Sequence, residues 1–248
     1  TEEQWLEAHD TLDGYVRYPF DVINGHSYTT DGDAYFGISA EEYDVYTMMS
    51  KFREIRDTYF PEAEIWLSEF GWDSAQGSPH SATIEYEDPV KGVMNQGINT
   101  GLTGQEVQGR WLIREYLMLA AAGLDRVQQF MMPNTVETEV NNSGRYATCG
   151  LIEGLQGSTK RKPSWYYVGT MKNYLDTAQF DRIIENGGVT DPWVLKFKET
   201  QGEENGVDSI YALWLPTSRG DMNGSNYVDY TLDLPEGTEY AYLIELKD

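Results

Sequence analysis

The run Glu64-Ile65-Trp66-Leu67-Ser68-Glu69-Phe70-Gly71-Trp72 decides how this chain reads. Its first five residues have an apolar body of strand length, and a polar tip follows at Ser68 and Glu69. A carboxylate placed directly after an apolar strand is costly unless it is paired or used. Glu69 is therefore the first candidate for chemistry. A structural carboxylate paired with an arginine would look the same in sequence.

The same alternation extends on both sides of this run. Upstream, residues 2–12 read as a helix capped by Thr1, and Phe20-Asp21-Val22-Ile23 reads as a buried strand that ends in the polar stretch Asn24-Gly25-His26-Ser27-Tyr28. Ser39, with Glu42 three residues on, predicts a helix to about Tyr59, with Tyr43, Tyr46, Met49, Phe52 and Ile55 at helical spacing and Pro61 beyond its end. Downstream, residues 74–102 are a Gly/Ser/Pro-rich insertion longer than the usual strand-to-helix connection, and His80 within it reads as solvated. Thr103 caps a predicted helix that runs through Ala122 and stops at Gly123, with Trp111, Leu112, Tyr116, Leu119 and Ala120 on its inner face. Arg126 to Met132 reads as a third strand, followed by a polar loop with Asn134, and Pro163 to Leu175 reads as a helix after the basic run Lys160-Arg161-Lys162.

Strands alternating with helices over residues 1–176 imply a parallel sheet with right-handed crossovers. In a (β/α)8 barrel the C-terminal strand tips form the active-site face. Three tips follow in order here: His26 with Tyr28, Glu69 with Trp72, and Asn134. His26 also fits a structural histidine, Trp72 a core residue, and Asn134 a loop amide. From residue 177 the pattern changes to short alternating segments, 193–198, 209–214, 227–232 and 240–244, separated by Gly/Asn/Asp turns that include the acidic 202–206. These predict a small antiparallel β-sandwich over residues 177–248, with Trp193 and Trp214 in its core. The fold class is thus α/β: the C-terminal half of a (β/α)8 barrel followed by a β-sandwich.

Composition narrows the partners. Forty-one acidic against 18 basic residues leave a net charge of −23, which repels phosphate backbones and anionic membrane surfaces. Nucleic acid and membranes are not expected partners. Seven Trp, 18 Tyr and eight Phe supply flat apolar faces suited to sugar rings, and a neutral polymer feels no repulsion. The single Cys149 excludes an intramolecular disulfide and any cysteine-built zinc site, and no run of about 18 apolar residues is present to span a bilayer.

Residues 65–72 resemble the nucleophile strand of clan A glycoside hydrolases, in which a Glu ends barrel strand seven. Val22-Ile23-Asn24-Gly25-His26-Ser27-Tyr28 resembles strand six of that clan, whose His and Tyr line the site beside the nucleophile. Gln108-Gly109-Arg110-Trp111-Leu112 through Asp125-Arg126 is similar to helix seven leading into strand eight, and Lys162-Pro163-Ser164-Trp165-Tyr166-Tyr167 to the start of the last helix. The resemblance covers roughly residues 20–175. Within the clan it leans towards the agarase, porphyranase and xylosidase-like families that append a β-sandwich.

The resemblance implies a retaining hydrolase of a plant or algal polysaccharide, secreted, periplasmic or at the cell surface. Glu69 would be its nucleophile, His26, Tyr28, Trp72 and Asn134 substrate-binding residues, and no metal or cofactor would be needed. Two departures stand out. Met131 and Met132 occupy the stretch where strand eight of the clan brings an aromatic. The clan's acid/base Glu follows an Asn, and the chain contains no Asn-Glu dipeptide. A (β/α)8 barrel takes about 250 residues, so strands one to five and the second carboxylate are expected on an upstream segment or a companion chain. A non-catalytic carbohydrate-binding relative and a structural subunit are the rival readings.

Overall fold

The computed structural model describes residues 20–30, 37–75, 77–82, 85–87, 94–96, 102–140, 142–200, 207–216 and 228–245. The helix expected over 2–12 and the acidic turn at 202–206 lie outside the described residues. The described elements run β1 (Val22–Ser27), α1 (Val45–Tyr59), β2 (Glu64–Phe70), β3 (Glu85–Glu87), β4 (Met94–Gln96), α2 (Gly104–Ala122), β5 (Arg126–Val127), β6 (Ile152–Glu153), β7 (Lys160–Arg161), α3 (Pro163–Leu175), β8 (Ala178–Glu185), β9 (Trp193–Glu199) and β10 (Ser209–Trp214). The fold is mixed α/β. β1, β2 and β5 form a parallel sheet with β2 central, and β8, β9 and β10 form an antiparallel one with β9 central. No described helix is long and apolar enough to cross a membrane.

The helix signals read from the sequence hold to different degrees. α2 begins at its capping box, in which the Thr103 hydroxyl accepts the Glu106 N–H while the Glu106 carboxylate accepts the Thr103 N–H, and it ends on Gly123 at φ 84°. α2 is buried almost all round, as a helix enclosed by α1, α3 and β8 must be. α3 spans the expected residues. α1 starts later than expected. The Ser39 hydroxyl does accept the Glu42 N–H at 3.2 Å, but it caps a turn, and Asp44 at φ 58° interrupts the backbone before the helix begins at Val45. The expected apolar stripe of α1 is covered only at its start, where Tyr46 meets Trp193 and Met49 enters the core; Phe52 and Ile55 are exposed.

The third strand is shorter than predicted, a two-residue ladder at Arg126–Val127. Residues 128–130 still run beside β2, since the N–H groups of Gln128 and Phe130 donate to the carbonyls of Leu67 and Phe70. At Met131 and Met132 the carbonyls turn instead to the N–H groups of Leu151 and Ile152, which ends the pairing with β2.

The C-terminal region differs more. Trp193 is buried and stacks on Trp214, with ring centroids 5.6 Å apart and planes 5° from parallel, as core residues. Residues 228–245 form no ladder, so the strands expected at 227–232 and 240–244 are not formed among the described residues. Alternating apolar residues make a strand only when a partner takes their hydrogen bonds and a core takes one face. Tyr242 and Leu243 are instead 80% and 96% exposed.

The antiparallel sheet is fastened to the helical layer by a part-buried polar contact. Trp214 Nε1 donates to Glu41 Oε1 at 2.6 Å, and Arg114 lies 3.8 Å from the same oxygen. Nearby, Glu115 on α2 is fully buried, and among the described residues neither carboxyl oxygen has a hydrogen-bond partner. Burial first, and then the Glu41 charge, push its carboxyl well above the usual carboxylate range. A carboxyl whose folded value is raised contributes stability fully only below its unfolded value of about 4.3, and loses it as pH rises. Glu115→Leu is therefore expected to stabilise the fold by about 1–4 kcal/mol near pH 8, with a clearly smaller gain near pH 4, read from urea unfolding at the two pH values. An equal effect at both would contradict the assignment.

Candidate active site

Register places Glu69. β1 and β2 pair in parallel from Val22↔Glu64 to Gly25↔Leu67, and pairing resumes at His26↔Glu69, so Ser68 is an extra residue in β2. Strict alternation would put Glu69 on the same face as Ile65 and Leu67, which are buried. The bulge reverses the parity. Phe70 takes the buried side, packing edge-on against Tyr116 at 4.8 Å, and Glu69 turns to the opposite face with its side chain 34% exposed. Gly71 follows at φ 140°, where a Cβ would sit 2.9 Å from the Phe130 carbonyl oxygen.

His26 and Tyr28, two residues apart and so on one face, meet Glu69 there. The Tyr28 hydroxyl donates to Glu69 Oε2 at 2.8 Å. His26 Nδ1 lies 3.4 Å from the same oxygen, and its Nε2 shares a 3.1 Å hydrogen bond with the hydroxyl of the bulge residue Ser68. Burial, then the hydrogen bond to Glu69, push the Tyr28 phenol well above an ordinary tyrosine, so it remains a donor across the physiological range. Both neighbours engage Oε2. Among the described residues Oε1 accepts no hydrogen bond, which leaves it as the oxygen available to an electrophile.

Two other expected ligand contacts are not made. Trp72 is completely buried, its Nε1 donating to the Ile38 carbonyl at 2.9 Å and its ring set against Trp111 at 5.4 Å. It is a core residue with no face left for a sugar. Asn134 is 2% exposed and its amide is engaged at both ends: Oδ1 accepts from Gly150 N and Lys162 Nζ, each at 3.0 Å, and Nδ2 donates to Glu139 at 2.9 Å. His80, read as solvated, is fully buried, because the loop that carries it folds back and pairs Asp73 with Ser81.

Residues with no motif of their own complete the wall. Phe130 brings a ring to 6.5 Å from Tyr28, so an aromatic does stand at this strand end, just before the two methionines. Tyr146 lies closer, with its ring 4.5 Å from Tyr28 and 5.0 Å from His80. It sits at φ 63°, a strained position for an aromatic residue, and its N–H donates to Asp73 Oδ2 at 2.7 Å. Asp73, wholly buried, also accepts from the Ser78 hydroxyl and from the N–H and hydroxyl of Thr148. One carboxylate thus ties the loop after β2 to the loop after β5. Burial brings the His80 imidazole down to about 4, so it is neutral.

Lys162, just before α3, reinforces that tie. Its Nζ is fully buried and donates to Ser74 Oγ at 2.8 Å, Asn134 Oδ1 at 3.0 Å and the Thr148 carbonyl at 2.8 Å, with Glu139 Oε1 at 2.6 Å. Burial alone would raise the Glu139 carboxyl; the Lys162 charge and the hydrogen bonds from Lys162, Asn134 and Ser74 outweigh it and hold the group below the usual range.

No protein-family model matches the sequence, and no curated protein matches it. Among solved structures, the chain is similar to a family 39 glycoside hydrolase from the gut symbiont Bacteroides cellulosilyticus WH2, at 17% identity and a TM-score of 0.43. The match covers 70% of this chain and 28% of that one, so this chain spans under a third of that protein's length.

The Lys162 tie is open to a direct test. Lys162→Met leaves Glu139 and three loop acceptors buried without a cation, and is expected to cost about 3–5 kcal/mol near pH 7. Glu139, with its folded value depressed, contributes stability above about pH 4.3 and loses it as pH falls further. The difference between the two proteins should therefore narrow below about pH 4. Chemical unfolding across this range checks it; a constant difference would contradict the pairing.

Proposed function

We propose that this chain is the nucleophile-bearing half of a retaining glycoside hydrolase, formed by strands six to eight of a (β/α)8 barrel with an appended antiparallel β-sheet, and acting on a plant or algal polysaccharide. The observation that supports this reading best is the 2.8 Å hydrogen bond from Tyr28 to Glu69 at the adjoining tips of two parallel strands. A carboxylate held through one oxygen by a phenol and an imidazole presents the other to an anomeric carbon in a fixed direction.

In the proposed reaction, Glu69 Oε1 bonds to the anomeric carbon as the bond to the leaving oxygen breaks, and a second carboxylic acid gives that oxygen its proton. Water then gives its proton back to the second carboxylate and displaces Glu69, restoring both groups. That second carboxylate, about 5 Å from the first in retaining enzymes, is proposed to come from strands one to five, on an upstream segment or a companion chain. Tyr146 and Phe130, in place of Trp72, would offer the sugar its aromatic wall. The proposed location is outside the cytoplasm, where a polymer too large to cross a membrane is met.

The test uses the full-length parent protein with agar, porphyran, xylan and β-glucan as substrates. Hydrolysis of one of them, reduced about 10⁴-fold or more by Glu69→Gln, is the expected result. Unchanged hydrolysis by Glu69→Gln, or sugar binding with no hydrolysis by the unaltered protein, would overturn the reading.

A further inference from the structure

Behind Tyr28, in the dry layer that joins the two loops, Asp73, His80 and Cys149 come together. All three are fully buried, and one donor atom from each lies within 4.8 Å of the others. The Cys149 thiol is 3.5 Å from Asp73 Oδ1. Among the described residues neither ring nitrogen of His80 has a hydrogen-bond partner, although the ring is fully enclosed and flanked edge-on by Tyr28 and Tyr146. A buried imidazole N–H left unmade costs about 1–3 kcal/mol.

We propose that Asp73, His80 and Cys149 form a mononuclear site for a borderline-soft divalent cation, zinc being the best fit, which locks the loop after β2 to the loop after β5. The donor set is the mixed sulfur, nitrogen and oxygen kind that zinc accepts, and three protein ligands leave one position for water. Sulfur and oxygen ligands on one tetrahedral zinc, with bonds of about 2.3 and 2.0 Å, lie about 3.5 Å apart, which matches the Cys149 to Asp73 spacing. Charge also closes. Zinc with one thiolate, one carboxylate and a neutral imidazole is uncharged overall, the state a dry interior tolerates. Binding replaces the thiol S–H by an S–Zn bond and releases one proton to solvent, with no change of oxidation state. The Tyr146 N–H and the Ser78 hydroxyl on Oδ2 and the Thr148 N–H on Oδ1 would orient Asp73 as a ligand, while the rotatable Thr148 hydroxyl would give up its place on Oδ1 to the metal. One cysteine, too few for a cysteine-built site, suffices when His and Asp complete the set. The site does not depend on the reaction proposed at Glu69.

Because all three ligands are enclosed, the metal has to enter during folding. The full chain is stripped with chelator in denaturant and refolded with zinc alone or cobalt(II) alone. One zinc per chain is expected by native mass spectrometry, together with a higher thermal midpoint than the metal-free chain and one proton released per zinc. The cobalt form should show a thiolate-to-metal charge-transfer band, which in a chain with one cysteine arises only from Cys149. Cys149→Ser should abolish the band, and His80→Phe, which keeps the ring packing, should weaken metal binding at least about tenfold. No retained zinc on the unaltered chain, no band, or a band and affinity unchanged in His80→Phe would overturn the site in favour of a buried imidazole solvated by water only. The native mass measurement needs no variant, so a variant that fails to fold leaves the proposal falsifiable.

Discussion

The candidate site depends on one extra residue in a strand. Without the bulge at Ser68, β2 would carry Glu69 into the apolar layer with Ile65 and Leu67, and Phe70 would face outward. The slip exchanges them in a single step, because side chains in a strand alternate with period two. Burial of Phe70 against Tyr116 on α2 then favours the same register that exposes Glu69 beside His26 and Tyr28. Packing on one face and the Glu69–His26–Tyr28 cluster on the other are set by the same backbone irregularity. The bulge residue itself is not idle, since its hydroxyl holds the far side of the His26 ring.

A second layer of polar contacts keeps the wall of that site in place. Asp73 holds Tyr146 in a left-handed backbone conformation, and Lys162 gathers Ser74, Asn134, Thr148 and Glu139 around one buried ammonium. Both groups are charged and both are enclosed. Such arrangements are strongly destabilised when one partner is lost, and they specify a single loop geometry in return. The two loops they join are those whose rings, Tyr146 and His80, back the Tyr28 side chain.

Much of this was legible in the sequence, and the reasons for the failures are local. The meeting of Glu69, His26 and Tyr28 was legible because each follows an apolar strand body, so topology alone brings them together. Thr103, Glu106 and Gly123 marked α2 because capping chemistry is contained within a few consecutive residues. Trp72 and Asn134 stay ambiguous in sequence between ligand contact and structural roles, because nothing there separates an aromatic open to ligand from one closed by a distant partner, here Trp111, or a free amide from one bonded to Lys162. His80, Tyr146 and Asp73 lie in irregular loops, and their roles come from contacts with residues 52 to 118 positions away in the chain, which no periodicity records. The late apolar segments at 227–232 and 240–244 had strand composition, but a strand also needs a neighbour to bond to.

The central claim is that Glu69 attacks the sugar directly instead of activating a water molecule. Two displacements at the anomeric carbon restore its configuration, whereas a single attack by water inverts it. Following the anomeric proton of the first product by NMR, during hydrolysis by the full-length protein and before mutarotation, distinguishes the two outcomes. Retained configuration is the expected result; an inverted first product would contradict the role given to Glu69.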